Sequence, residues 1–86
     1  MQEFLESLGI NEALEDEDGE KVIKLNDSNE FQDIFEYLQG VDSITLNEDS
    51  VEFTNDYNKV TFDGDKYDLT LEADFVNEKY RVKVKE

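Results

Sequence analysis

Apolar residues recur along this chain with two different periods, and the change from one to the other falls near residue 40. Between 28 and 39 the spacing is helical. Phe31, Ile34, Phe35 and Leu38 stand at i, i+3, i+4 and i+7 and so share one face of an α-helix. Asp27 or Ser28 is placed to cap it, Glu30 sits near its first turn, and Gly40 closes it. From there the period is two: Ile44 and Leu46, Val51 and Phe53, Val60 and Phe62, then Tyr67, Leu69, Leu71 and Ala73, and last Tyr80, Val82 and Val84. This alternation predicts five strands, divided by turn-forming residues at 47–50, 55–58 and 63–65 and by a loop near 76–78.

The N-terminal part is less regular. Phe4, Leu5 and Leu8 predict a short helix over 2–8, which Gly9 is placed to end. Asn11 can cap a second helical stretch through Ala13 and Leu14. Residues 15–20, EDEDGE, have nothing apolar to bury and predict a solvated loop, whereas KVIKL at 21–25 reads as a strand. The fold expected is α+β: an antiparallel β-meander of about five strands, plus a short N-terminal strand, with two or three helices packed on one face. One domain spans 1–86, because a chain of this length builds one core, and a hydrophobic content of 37% is enough to pack it despite the charge.

Composition removes several kinds of chemistry. The chain has no Cys and no His, so disulfides, thiol catalysis and zinc held by those ligands are excluded. The opening MQEFLES lacks a basic segment followed by an apolar run, and no stretch is long enough to span a bilayer, which predicts a cytoplasmic protein. Asn26-Asp27-Ser28 matches a glycosylation acceptor, and without an export signal it reads as a chance match.

Charge changes the picture most. Against 24 Asp and Glu stand 8 Lys and Arg, a formal charge of −16. Self-repulsion of this size opposes compaction. The plentiful Lys, Asn, Ile, Phe and Tyr argue against adaptation to high salt. An anionic surface repels nucleic acid and anionic lipid, so the natural partner is a basic protein or another cation. Residues 1–56 hold 17 acidic and 2 basic side chains, and residues 57–86 hold 7 and 6. In the final hairpin Lys79, Arg81, Lys83 and Lys85 take the outward positions, where they can face Asp68, Glu72 and Asp74 across the strands and stabilise the pairing. On the main helix Asp27, Glu30, Asp33 and Glu36 recur every third residue as a row of carboxylates about 5–6 Å apart. Like charges at that spacing weaken a helix, and no Lys or Arg lies between them and Glu52. The row can engage the Lys and Arg that a DNA-binding protein sets against phosphates.

No enzyme is expected. Paired carboxylates can act as acid and base, but they need a cleft that raises one pKa. Asp63-Gly64-Asp65-Lys66-Tyr67-Asp68 and Asp16-Glu17-Asp18-Gly19 lack the ligand spacing of an EF-hand and read as a turn and an acidic loop. Neither a P-loop nor a dinucleotide fingerprint is present, and no cofactor or metal is implied.

In its size, its lack of Cys and His, its acidic helix at 27–36 and its clusters at 15–20 and 48–52, the chain resembles small acidic phage-encoded proteins that mimic DNA. Within that class it is most similar to the phage inhibitors of the bacterial nucleoid protein HU. The resemblance implies a DNA mimic that competitively blocks DNA binding by a basic host protein during phage host takeover. The partner-binding residues it implies are Glu15, Asp16, Glu17, Asp18, Glu20, Asp27, Glu30, Asp33, Glu36, Asp42, Glu48, Asp49 and Glu52. Two other functions fit the same composition: an anti-CRISPR or anti-restriction inhibitor that imitates DNA toward a nuclease, and a small acidic adaptor that binds through apolar surface. A homodimer formed through an exposed edge strand would extend the anionic surface.

Overall fold

The structure, a computed structural model, describes residues 2–7 and 14–85. It has an α+β fold built on a six-stranded antiparallel sheet. The strands are β1 (Glu15–Glu17), β2 (Glu20–Leu25), β3 (Ile44–Phe53), β4 (Tyr57–Gly64), β5 (Asp68–Asp74) and β6 (Lys79–Lys85), and the helices are α1 (Gln2–Ser7) and α2 (Ser28–Gln39). Across the sheet the order is β1-β2-β6-β5-β4-β3. Strands β3 to β6 form the expected meander. β2 leaves that pattern and pairs with β6, so it runs parallel to β3 from the far side of the sheet. The connection between them must cross the sheet, and α2 supplies the crossing.

α2 forms where the helical period places it. Asp27 is the N-cap, in an extended conformation, and its carboxylate accepts the Glu30 N–H at 2.9 Å. The Glu30 carboxylate in turn accepts the Asn26 N–H at 3.1 Å, so Asp27 satisfies a donor the helix leaves open and Glu30 ties down the chain just before the cap. Phe31 and Leu38 are buried, and Ile34 and Phe35 are half-buried against the same core. Among the described residues the expectation of two or three helices on one face is not met, because this layer is one helix, α2. The six-residue α1 adds the buried side chain of Leu5. Gly9 and the stretch 11–13 lie outside the described residues, and Leu14 is not helical.

Two further expectations change. Residues 15–20 are not a loop but the β1–β2 hairpin, with Glu17 opposite Glu20. Its two central residues, Asp18 and Gly19, both have positive φ, 53° and 83°, as a type I′ turn requires. The two strands expected around Ile44 and Val51 are one strand, β3, whose register against β4 shifts between Asn47 and Glu52. The turn chemistry at 47–50 is present. The Asn47 side chain accepts the Asp49 N–H at 3.1 Å, while the Ser50 hydroxyl donates to the Asn47 carbonyl at 2.6 Å and accepts the Thr61 N–H at 2.9 Å. That last bond ties the excursion back to β4, so the chain bulges instead of reversing.

Cross-strand partners share a face of the sheet. Ile23, Val82, Leu71 and Val60 align across four strands beneath α2, and Phe62, Leu69 and Val84 form the next row. Burying one such side chain is worth about 1.5–3 kcal/mol. The opposite face has no helix on it, and apart from Val22, buried opposite Lys83, its residues are mostly polar.

Candidate functional site

The open face is organised around Glu72, which is buried (5% exposed) although it lies on the side away from the helix. β4 and β6 flank it, and its partners are long side chains that lie over it. One carboxylate oxygen accepts Arg81 Nε at 3.1 Å and Arg81 Nη2 at 3.0 Å, and the other pairs with Lys83 Nζ at 3.1 Å. Burial would push the carboxyl up, but the hydrogen bonds from Lys83 and Arg81 outweigh it and hold Glu72 below the usual glutamate range. The same bonds raise Lys83 and Arg81 against the opposing effect of burial. Tyr57 is pushed up to about 12 by its partial burial and by the negative charge of the nearby Glu72. Arg81 also binds Glu17 at 3.0 Å and Lys83 also reaches Glu20 at 3.4 Å. The cations of β6 therefore fasten the β1–β2 hairpin to the sheet. The expected cross-strand pairs are in place: Lys85 opposite Asp68, Arg81 opposite Glu72 and Lys79 opposite Asp74.

The residues implicated as partner-binding are distributed over three parts of the molecule. Glu15, Asp16, Glu17, Asp18 and Glu20 belong to the hairpin at one edge. Four of these are ion-paired, with Lys24 (3.9 Å), Lys21 (2.7 Å), Arg81 and Lys83 respectively, while Asp18 is exposed in the turn. Asp27 and Glu30 cap α2. The spacing of three also walks about 60° around the helix at each step, so the row does not keep to one side: Glu30 is half-buried, and Asp33 and Glu36 are exposed. Asp42 follows the helix, and Glu48 and Asp49 project from the β3 bulge at the opposite edge of the sheet. Glu52, on the same strand, faces Lys59. Asp33, Glu36, Asp42, Glu48 and Asp49 are exposed carboxylates on α2, the loop after it and β3, and none has an ion-pair partner among the described residues. Phe53 of β3 is half-exposed and stands edge-on to Phe35 of α2, with 5.8 Å between ring centres.

Comparison with protein-family models, with curated proteins and with solved structures finds no match to this chain. Its function has to be read from its own residues. Among the described residues no group of three or more acidic side chains is arranged to hold a metal ion, and no helix is long and apolar enough to cross a membrane. A cavity of about 580 Å³ opens on this face, and Thr61, Thr70 and Lys59 line it. Sequence pattern singled out none of these three, because an outward-facing Thr or Lys on a strand carries no signal of its own. Strand register is what brings them together.

Proposed function

We propose that the protein is a DNA mimic that binds the DNA-binding surface of a basic host protein, with HU-like nucleoid proteins the favoured target, and competitively blocks DNA binding. One observation carries this reading. No Lys or Arg occurs between Lys24 and Lys59, and this stretch supplies α2, which packs across the sheet, and the edge strand β3. Three cations, Lys24, Arg81 and Lys83, are instead bound to carboxylates on the open face. The two sides of the molecule are therefore charged unequally, and the α2–β3 side offers Asp33, Glu36, Asp42, Glu48 and Asp49 to an incoming basic surface. Such surfaces bind through phosphate-like spacing of negative charge, and the contacts weaken as salt screens them. Phe53 and Val51, exposed in the same region, add apolar area of the kind that anchors an interface centre.

The hairpin carboxylates have a smaller part in this reading than sequence alone assigns them, because their charge is already met by Lys21, Lys24, Arg81 and Lys83. Pairing of two copies through the β3 edge is not part of it either, since Glu48, Asp49 and Glu52 leave that edge negatively charged and would repel.

The test is displacement of labelled duplex DNA from a purified HU-type nucleoid protein, followed by fluorescence anisotropy. Displacement at about 50 mM salt that weakens strongly by about 200 mM is the expected result. It should disappear when Asp33→Asn, Glu36→Gln, Glu48→Gln and Asp49→Asn are combined. Absence of displacement at low salt from HU removes that target, and a parallel assay with a DNA-bound nuclease separates the anti-restriction alternative.

A further inference from the structure

We propose that the open face of the sheet carries a binding cradle for a short polyphosphate chain, formed by Lys59, Lys83 and Lys85 around the Thr61–Thr70 hydroxyl pair. In a chain with eight Lys and Arg, Lys21, Lys59, Lys83 and Lys85 all line the one 580 Å³ cavity, against the carboxylates of Glu20 and Glu72. The cavity is thus locally cationic within a strongly anionic protein, and its volume suits a small ligand.

The arrangement around Thr70 follows from the register. Its direct neighbours are Thr61 on β4 and Lys83 on β6. Lys59 and Lys85 lie on its opposite diagonals, each about 7–8 Å away between Cα atoms. The two hydroxyls are 3.1 Å apart. Only one proton is used between them, so the other is left to donate. Neither Lys59 nor Lys85 makes an ion pair among the described residues, although each has a carboxylate opposite it. Glu72 is engaged by Arg81 and Lys83 and Asp68 accepts the Gly64 N–H at 3.3 Å, while Glu52, which also stands opposite Lys59 on β3, makes no ion pair with it among the described residues. Cross-strand neutralisation therefore accounts for Arg81 and Lys83 and leaves two ammonium groups over the cavity.

The chemistry of the lining selects the ligand. Ammonium groups are compact point charges that suit phosphate oxygens, and the hydroxyls add neutral donors. One tetrahedral anion cannot touch both Lys59 and Lys85 across those diagonals, whereas a chain of two or three phosphates can. No aromatic ring lines the cavity, so nothing there would hold a nucleobase. The cradle lies on the face away from α2 and does not depend on the DNA-mimic reading.

Nuclear magnetic resonance titration of the labelled protein with inorganic triphosphate tests this, in EDTA and at about 0.15 M salt so that repulsion from distant carboxylates is screened beyond about 8 Å. The expected result is saturable shifts at Lys59, Thr61, Thr70, Lys83 and Lys85, with affinity falling about tenfold for each of Lys59→Gln and Lys85→Gln, as loss of one charged hydrogen bond implies. ATP should bind no tighter than triphosphate. In the unaltered protein, triphosphate should slow acetylation of Lys59 and Lys85 relative to the exposed Lys66, a readout that needs no variant. Unsaturable shifts, shifts of equal size at Lys66 and Lys79, binding of ATP without binding of triphosphate, or equal acetylation of all lysines would each overturn the cradle.

Discussion

Replacing Glu72 by Gln tests whether the open face is held together from its centre. The substitution keeps the shape of the side chain but removes the charge that Arg81 Nε, Arg81 Nη2 and Lys83 Nζ approach at 3.0–3.1 Å. A fully buried pair that loses one partner costs about 3–5 kcal/mol. Here the loss should be smaller for two reasons. Arg81 keeps Glu17 and Lys83 keeps Glu20, and both cations are close to one-third exposed, so water compensates part of the change. A destabilisation of about 2–3 kcal/mol is expected, which for a domain of this size lowers Tm by about 10–20 °C. Thermal unfolding followed by circular dichroism measures it. The pH dependence gives a second reading of the same group. Because its folded-state pKa is depressed, the contribution of Glu72 is fully present above the ordinary glutamate range and is lost as pH falls through the lower folded value. The gap between parent and variant should therefore close on acidification below about pH 4. A loss under about 0.5 kcal/mol at neutral pH, the size of an ordinary surface change, would refute the claim that Glu72 organises this face.

Four further outcomes follow from the geometry. Gly64→Ala should cost about 1–3 kcal/mol in urea unfolding, because a Cβ there would stand 2.5 Å from the Tyr67 carbonyl oxygen. Glu78 holds φ 54° in the β5–β6 turn, so Glu78→Gly should stabilise by up to about 1 kcal/mol through relief of left-handed strain. Asp27→Ala should cost about 1 kcal/mol through loss of the N-cap bond, whereas Asp27→Asn, which caps equally well and removes one negative charge, should be close to neutral. Raising NaCl should raise Tm, because screening relieves the self-repulsion of a −16 chain more than it weakens the partly covered pairs around Glu72; a fall in Tm would reverse that order.

The helix and most strands were legible because a buried stripe leaves its period in the sequence. Phe31 to Leu38 gave α2 and its cap, and the alternation at 60–62, 69–73 and 80–84 gave three adjacent strands and the cations facing their carboxylates. The hairpin at 15–20 was missed because its strands bury little and are held by ion pairs with β6, which no local pattern records. Its Asp18-Gly19 turn was the one available sign, a hairpin dipeptide masked by the acidic run around it. At 47–50 the turn residues were recognised but not their outcome, since whether a turn reverses the chain or bulges depends on what Thr61 offers across the sheet. Of the open face the pairing of Arg81 with Glu72 was legible, but Lys59, Thr61 and Thr70 were not, because they come from separate strands and meet only through register.

The position of β6 has a consequence for how the chain folds. It is the last strand in sequence yet lies inside the sheet, and the contact it makes between Arg81 and Glu17 joins residues 64 positions apart. The β3–β6 meander can form from near neighbours, whereas β2 must close a long loop to reach β6, a step with a larger entropic cost. The hairpin should therefore dock last, and hydrogen exchange should find the amides of β1 and β2 opening before those of β4 and β5. Before docking, Arg81 and Lys83 lack the hairpin carboxylates that cover them in the folded protein, so the late intermediate has a more cationic sheet face than the native state.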